Sequence, residues 1–230
     1  MMPIGSWQLA AYQFNFDWLA DGFPMLLDGL WLTIVITVLV MLLSVPLGLG
    51  VAFARLGRSA PLRTFVAGYT DFFRTTPVLI QIFLGVYALP IVLGVNIDIF
   101  LAAVIALTLN VAAFLAEIFR GSIQSIDRGQ REAAIATGMT ERQAMRRVVL
   151  PQAVRRSIPL TAAVWISLFK DTSLLSVVGL KELTGEGASI YRDTFRQIEV
   201  MGVLAVMYFA LTYPQSLIIN RLFEKYRVRE

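Results

Sequence analysis

The 230-residue sequence has no cysteine and no histidine. The first absence excludes disulfides and thiolate chemistry and says nothing about redox compartment. The second removes the commonest metal ligand and the usual neutral-pH base. Metal sites built on Cys or His clusters go with them, so neither a metal site nor a catalytic constellation is expected. Charge is scarce too: 16% of residues are charged and 57% hydrophobic, with mean hydropathy +0.69. A soluble domain of this length carries far more charge, so the composition indicates a polytopic membrane protein. No Lys or Arg precedes the first long apolar run. The N-terminus therefore lacks the basic region of a cleaved signal peptide. Trp7, Phe14, Phe16 and Trp18 predict instead an interfacial segment over residues 1–29, with a loose tail as the alternative. There is no glycine-rich loop ending in Gly-Lys-Ser/Thr, which excludes ATP hydrolysis by that route. No internal repeat is visible.

What is present is a series of apolar runs. A helix needs roughly 20 mostly apolar residues to cross the bilayer. Five candidates fit: Leu30–Ala54, Phe65–Leu93, Ile99–Phe119, Ile158–Leu180 and Met201–Asn220. The second is interrupted by Asp71, Arg74 and Pro77. Pro46 predicts a kink in the first, and Pro159 fits the first turn of the fourth, where a missing N–H costs little. The fold class expected is all-α, with about five transmembrane helices over residues 30–221 and a short tail over 222–230. Arg55–Arg63, Glu117–Arg156 and Arg221–Glu230 hold 15 of the 20 basic residues, and Lys181–Glu199, read as a loop on the other side, holds three. The positive-inside rule then puts the N-terminus outside and the C-terminus in the cytoplasm. Five spans satisfy that odd topology.

The polar stretch over residues 120–156 therefore lies in the cytoplasm, between the third and fourth spans. Arg131–Thr137 predicts a helix and Gly138 its break. Thr140 with Gln143 forms a capping-box pattern for a second short helix, which Pro151 is expected to stop. Ala144, Met145, Val148 and Val149 make one apolar stripe on it. That stripe suits packing under the protein's own spans, lying on anionic lipid, or docking in a groove of a soluble partner.

Glu132-Ala133-Ala134, Gly138 and Leu150-Pro151, at this spacing, resemble the EAA loop of the membrane subunits of ABC importers. Val148 stands where that family has isoleucine. Phe73-Arg74-Thr75-Thr76-Pro77, Leu109-Asn110, Ala116 to Gly121, Lys170 to Leu174, and Thr194-Phe195-Arg196 with Glu199 are similar to the polar amino acid permease branch, with Thr75 in place of a glycine. The resemblance implies an all-helical type I-like permease subunit of a bacterial inner membrane. It implies a second permease subunit, two cytoplasmic ATPase subunits that bind ATP and Mg, and an extracytoplasmic substrate-binding protein. It assigns Glu132, Ala133, Ala134, Gly138, Leu150 and Pro151 to ATPase coupling, with Gly138 permitting a tight turn. No cofactor is expected on this chain. Its other contacts are expected to be lipid, not nucleic acid.

A charge near the bilayer centre costs about 2.5–3.5 kcal/mol, so intramembrane charges call for a reason. Arg74 with Asp171 is one candidate ion pair. The resemblance implies instead that some of Arg74, Thr75, Thr76, Glu117, Asp171 and Thr172 line the substrate path. A zwitterionic amino acid needs an anion for its ammonium and cationic or N–H donors for its carboxylate. Glu117 could equally sit at a wet helix end. Gln81 and Asn110 are expected to form interhelical hydrogen bonds. Thr75-Thr76-Pro77 predicts a local helix break of the kind tolerated where it lines a cavity or is buried in protein. Two rival functions are an ion-coupled secondary transporter and an intramembrane enzyme using Lys170 with Ser173.

Overall fold

The computed structural model describes residues 12–226, and every regular element among them is helical. In order these are α1 (Leu19–Leu56), α2 (Ala60–Thr75), α3 (Val78–Phe83), a π turn (Leu84–Ala88), α4 (Leu89–Leu93), α5 (Ile99–Gln124), α6 (Arg128–Ala136) and α7 (Glu141–Ala144). A second π turn (Met145–Val149), α8 (Leu150–Asp171), a 3-10 segment (Thr172–Val178), α9 (Leu183–Thr194) and α10 (Gln197–Tyr226) complete the chain. Four stretches are long and apolar enough to cross a bilayer, and the bent pair Ala60–Thr75 and Val78–Leu93 makes a fifth if taken as one span.

Helix α5 is the axis of the fold. Two-thirds of its most apolar window is buried by the rest of the chain, against 11% for α10. Its Leu107, Val111 and Leu115 pack with Ile36 and Val40 of α1, Ile82 of α3 and Leu168 of α8. Small residues let α1 come close: a Cβ on Gly48 would sit 2.9 Å from that of Leu115 and 3.0 Å from the Ala112 carbonyl oxygen. This is small-residue packing, in which lipid offers no hydrophobic drive and close backbone approach supplies the attraction. Ser44 Oγ adds a hydrogen bond to the Thr108 carbonyl at 3.1 Å across the same seam.

Several boundaries differ from those expected. Helix α1 begins at Leu19, so residues 19–29 are its first turns, and it continues through Pro24 and Pro46. A helix surrounded by lipid has no other partner for its carbonyls, so it absorbs one lost bond and goes on. Trp7 lies outside the described residues; Phe14 and Phe16 are exposed, whereas Trp18 packs with Leu26, Leu183 and Val200. Pro159 lies inside α8, not in its first turn, because α8 starts at Leu150. Lys170 and Asp171 end α8, where the chain tightens to 3-10 geometry and continues to Val178.

The stretch Lys181–Glu199 is not a plain loop. It contains α9, capped by the fully buried Glu182. Glu182 accepts from the Thr184 and Gly185 backbone N–H groups at 3.0 and 2.9 Å, from Tyr208 Oη at 3.1 Å and from Thr33 Oγ1 at 3.3 Å. One carboxyl thus ties α1, α9 and α10 together. Burial pushes its pKa up, and the four donors pull against that shift.

Candidate functional site

The second span breaks where the sequence places the break. Helices α2 and α3 meet at 112° across Thr76 and Pro77. Pro77 cannot supply an N–H and disfavours α geometry for Thr76, which is extended (φ −94°, ψ 146°). The carbonyls orphaned at the end of α2 need donors at membrane depth. Gln81 Nε2 donates to the carbonyls of Phe73 and Thr76 at 2.9 and 3.0 Å. Asn110 Nδ2 on α5 donates to the Phe73 carbonyl at 3.2 Å and to Gln81 Oε1 at 2.8 Å. The expected interhelical bonds of Gln81 and Asn110 are therefore present, and their job is to cap a broken helix. Thr75 and Thr76 donate their hydroxyls back to Asp71 and Phe72 carbonyls at 2.7 and 2.8 Å.

Beside the break lies Glu117. Its carboxylate faces Arg120 at 2.6 Å, Arg55 at 3.5 Å and Arg74 at 3.9 Å, with 15% of its side chain exposed. Arg74 also lies 5.9 Å from the Phe114 ring centre. The candidate pair of Arg74 with Asp171 is not formed; Arg74 faces Glu117 because both flank the α2–α5 contact, whereas Asp171 closes α8. Asp171 is half-buried and forms no ion pair among the described residues. Thr172 is fully buried and donates to the Phe169 carbonyl at 2.8 Å. Arg74, Thr75, Thr76 and Glu117 are thus grouped around the break, while Asp171 and Thr172 lie at the junction of α8 with the 3-10 segment. The two groups are linked through α3, which packs against the 3-10 segment. The Lys170–Ser173 pair is also not formed: Ser173 Oγ donates to the Lys170 carbonyl at 2.6 Å, a local backbone bond.

The polar stretch between α5 and α8 folds as two short helices around Gly138. The chain there has φ +89°, the left-handed region open to glycine. Gly138 N–H donates to the Ile135 carbonyl at 2.9 Å and Met139 N–H to the Ala134 carbonyl at 3.2 Å, the paired bonds of a Schellman motif. Thr140 N–H donates to Gln143 Oε1 at 2.8 Å and Gln143 N–H to Thr140 Oγ1 at 3.3 Å, completing the capping box. Ala144 and Val149 are buried, and Val149 and Met145 pack with Ile123, Ile126 and Ala153. The apolar stripe therefore lies under the chain's own helices. What faces outward is Glu132 and Ala133, with Ile135 39% exposed. Glu132 forms no ion pair among the described residues; the neighbouring Arg131 is taken by Glu141, at 2.8 Å from its Nε.

Pro151 does not stop this segment. The chain passes from α7 through the π turn into α8 as one continuous helical stretch, Glu141–Val178. An α-helix would set the proline ring against the Arg147 carbonyl. The wider π turn over Met145–Val149 makes room for it. Leu150 and Pro151 are thus the first residues of α8.

Over residues 44–228 the sequence matches the family of binding-protein-dependent transport system inner membrane components. The chain belongs to this family. The permease is 36% identical over 217 residues to the glutamine transport system permease protein GlnP of Escherichia coli (strain K12), covering 93% of this chain and 99% of that one. It is 39% identical over 207 residues to the L-cystine transport system permease protein TcyB of Bacillus subtilis (strain 168), covering 88% of each. A solved chain described as an amino acid ABC transporter with histidines superposes with TM-score 0.87 at 34% identity, over 93% of the permease and 99% of that chain. These likenesses support a multi-pass membrane permease over an ion-coupled carrier or an intramembrane enzyme.

Sequence reasoning did not find Arg55 and Arg120 as partners of Glu117. For Arg120 the signal was there, since Glu117 and Arg120 stand at i,i+3 on one helix. For Arg55 there was none, because its contact joins the ends of two helices far apart in sequence. Glu182 was hidden inside an apparent loop.

Proposed function

We propose that this permease is the membrane-spanning subunit of an ATP-driven importer for a polar amino acid. It pairs with a second permease subunit, either a copy of itself or a sister chain. A binding protein delivers the amino acid from outside, and cytoplasmic ATPase subunits holding ATP and Mg drive the cycle. The N-terminus lies outside and the C-terminus in the cytoplasm. Glu132, Ala133 and Gly138 form the face that an ATPase grips, Ala134 is buried beneath that face and supports it, and Leu150 and Pro151 carry its motion into α8. Arg74, Thr75, Thr76 and Glu117 border the substrate path at the broken span, with Asp171 and Thr172 where α8 passes into the 3-10 segment.

The observation that carries this reading is the turn around Gly138. Its apolar stripe is already covered by the chain itself, yet Glu132, which forms no ion pair among the described residues, and a capped turn face outward, and the helix after the turn runs without a break into α8. A mechanical coupler needs those three properties: an exposed grip, a rigid joint and a continuous lever. The test is affinity co-purification of the tagged full chain from its own host, with uptake assayed in reconstituted vesicles. ATPase recovery and ATP-dependent uptake should both fall at least tenfold in Glu132→Lys and in Gly138→Asp. Normal recovery and uptake in both variants would refute the assignment.

A further inference from the structure

A cavity of about 380 Å³ lies where the C-terminal ends of α1 and α5 meet the N-terminal half of α2. Arg55, Arg63, Thr64, Ala67, Arg120 and Gln124 line it, and none of them is acidic. The arginines are not equally occupied. Arg120 grips Glu117 with Nε and Nη2, at 3.1 and 2.6 Å, and also donates to Gln124. That leaves Arg55 with a looser approach of 3.5 Å to the same carboxylate. Arg55 makes no hydrogen bond among the described residues, although only 19% of its side chain is exposed. A mostly buried guanidinium with five unfilled donors is costly unless an acceptor comes to it. The side chain of Arg63, an exposed residue, forms neither an ion pair nor a hydrogen bond among the described residues, while its backbone N–H donates to the Ser59 carbonyl at 3.0 Å. Three guanidiniums, of Arg55, Arg74 and Arg120, thus share the single carboxylate of Glu117, and Arg63 adds a fourth cation on the cavity wall.

We infer that this cavity is a binding site for a phosphate-bearing anion, held by Arg55, Arg63 and Arg120. Arginine forks match phosphate oxygens in pairs. The Thr64 hydroxyl and the Gln124 amide are further donors on the wall. The anion has two possible sources, an anionic phospholipid headgroup and free phosphate. Basic pockets between transmembrane helices on the cytoplasmic side suit the first. Leu56, Leu62 and Phe65 beside the cavity are exposed, Phe65 at 76%, and offer acyl chains a surface to lie on. The site needs no role in transport, but its place at the cytoplasmic leaflet rests on the orientation proposed above.

The test is native mass spectrometry of the purified complex in detergent, titrated with phosphatidylglycerol or phosphatidylcholine. Phosphatidylglycerol should bind saturably and more tightly. Arg63→Gln should weaken it about fivefold, and Arg58→Gln, an exposed arginine outside the lining, should leave it unchanged. Competition by inorganic phosphate would assign the site to free anions; retention of phosphatidylglycerol against it would assign the site to lipid. Equal binding of the two lipids, or equal weakening by Arg63→Gln and Arg58→Gln, would overturn the inference. Neither readout depends on uptake, so failure of the transport reading would not be confused with failure here.

Discussion

Glu117 answers to Arg55, Arg74 and Arg120 at once, from three different helices. Removing its charge strands three guanidiniums in a mostly desolvated place, which costs about 3–5 kcal/mol when a buried pair is broken; its partial exposure argues for the lower end. Glu117→Gln should therefore lower the thermal midpoint of the detergent-solubilised protein markedly, while Asp171→Asn, which breaks no ion pair, should leave it nearly unchanged. Asp171→Asn should instead reduce uptake with assembly intact; full transport by that variant would remove Asp171 from the path. Glu182 makes a contrasting case. Glu182→Ala orphans the Thr184 and Gly185 N–H groups and should cost about 1–3 kcal/mol. Glu182→Gln keeps an acceptor and should cost less. Burial raises the Glu182 pKa on folding, so the carboxyl weighs against the fold as pH climbs past its unfolded value. The stability gap between wild type and Glu182→Gln should thus narrow from about pH 4 to about pH 7; a gap that widens would contradict the assigned shift.

Local chemistry made some elements legible and tertiary context hid others. The break at Thr76-Pro77, the Gly138 turn and the Thr140–Gln143 capping box follow from one or two residues each, and the structure contains all three. Pro151 misled because its local meaning, a helix stop, gave way to a π turn that keeps α7 and α8 continuous. Helix α9 was missed because its start is capped by Glu182, whose burial depends on distant Thr33 and Tyr208. The substrate-path candidates were readable as polar residues at depth, but their grouping was not, since Glu117 meets Arg55 and Arg74 only through the packing of α1 and α2 on α5. Two predictions belong to this scale. Gln81→Ala would leave the Thr76 carbonyl without its side-chain donor and the Phe73 carbonyl with Asn110 alone, and should destabilise the protein by about 1–3 kcal/mol, seen as a lower melting temperature. Pro151→Ala restores an N–H and removes the reason for the π turn. Closing that turn rotates α7 by about 100° against α8, so uptake per ATP hydrolysed should drop severalfold with the fold retained. Unchanged coupling would show that the register of the lever is immaterial.

At the scale of the whole molecule, the chain is a core built on α5 with a thinly packed periphery. Helix α10 is mostly uncovered, and α8 and the broken span each leave apolar surface open. Lipid can cover such surface, and so can a second permease subunit. Energy from outside the chain is proposed to enter at the turn around Gly138. The most direct measurement is ATP-dependent uptake of a radiolabelled polar amino acid by vesicles holding the complete complex, wild type beside Gly138→Asp. Uptake should require ATP and the binding protein and fall at least tenfold in the variant. Uptake driven by an ion gradient without ATP, and indifferent to Gly138, would contradict it.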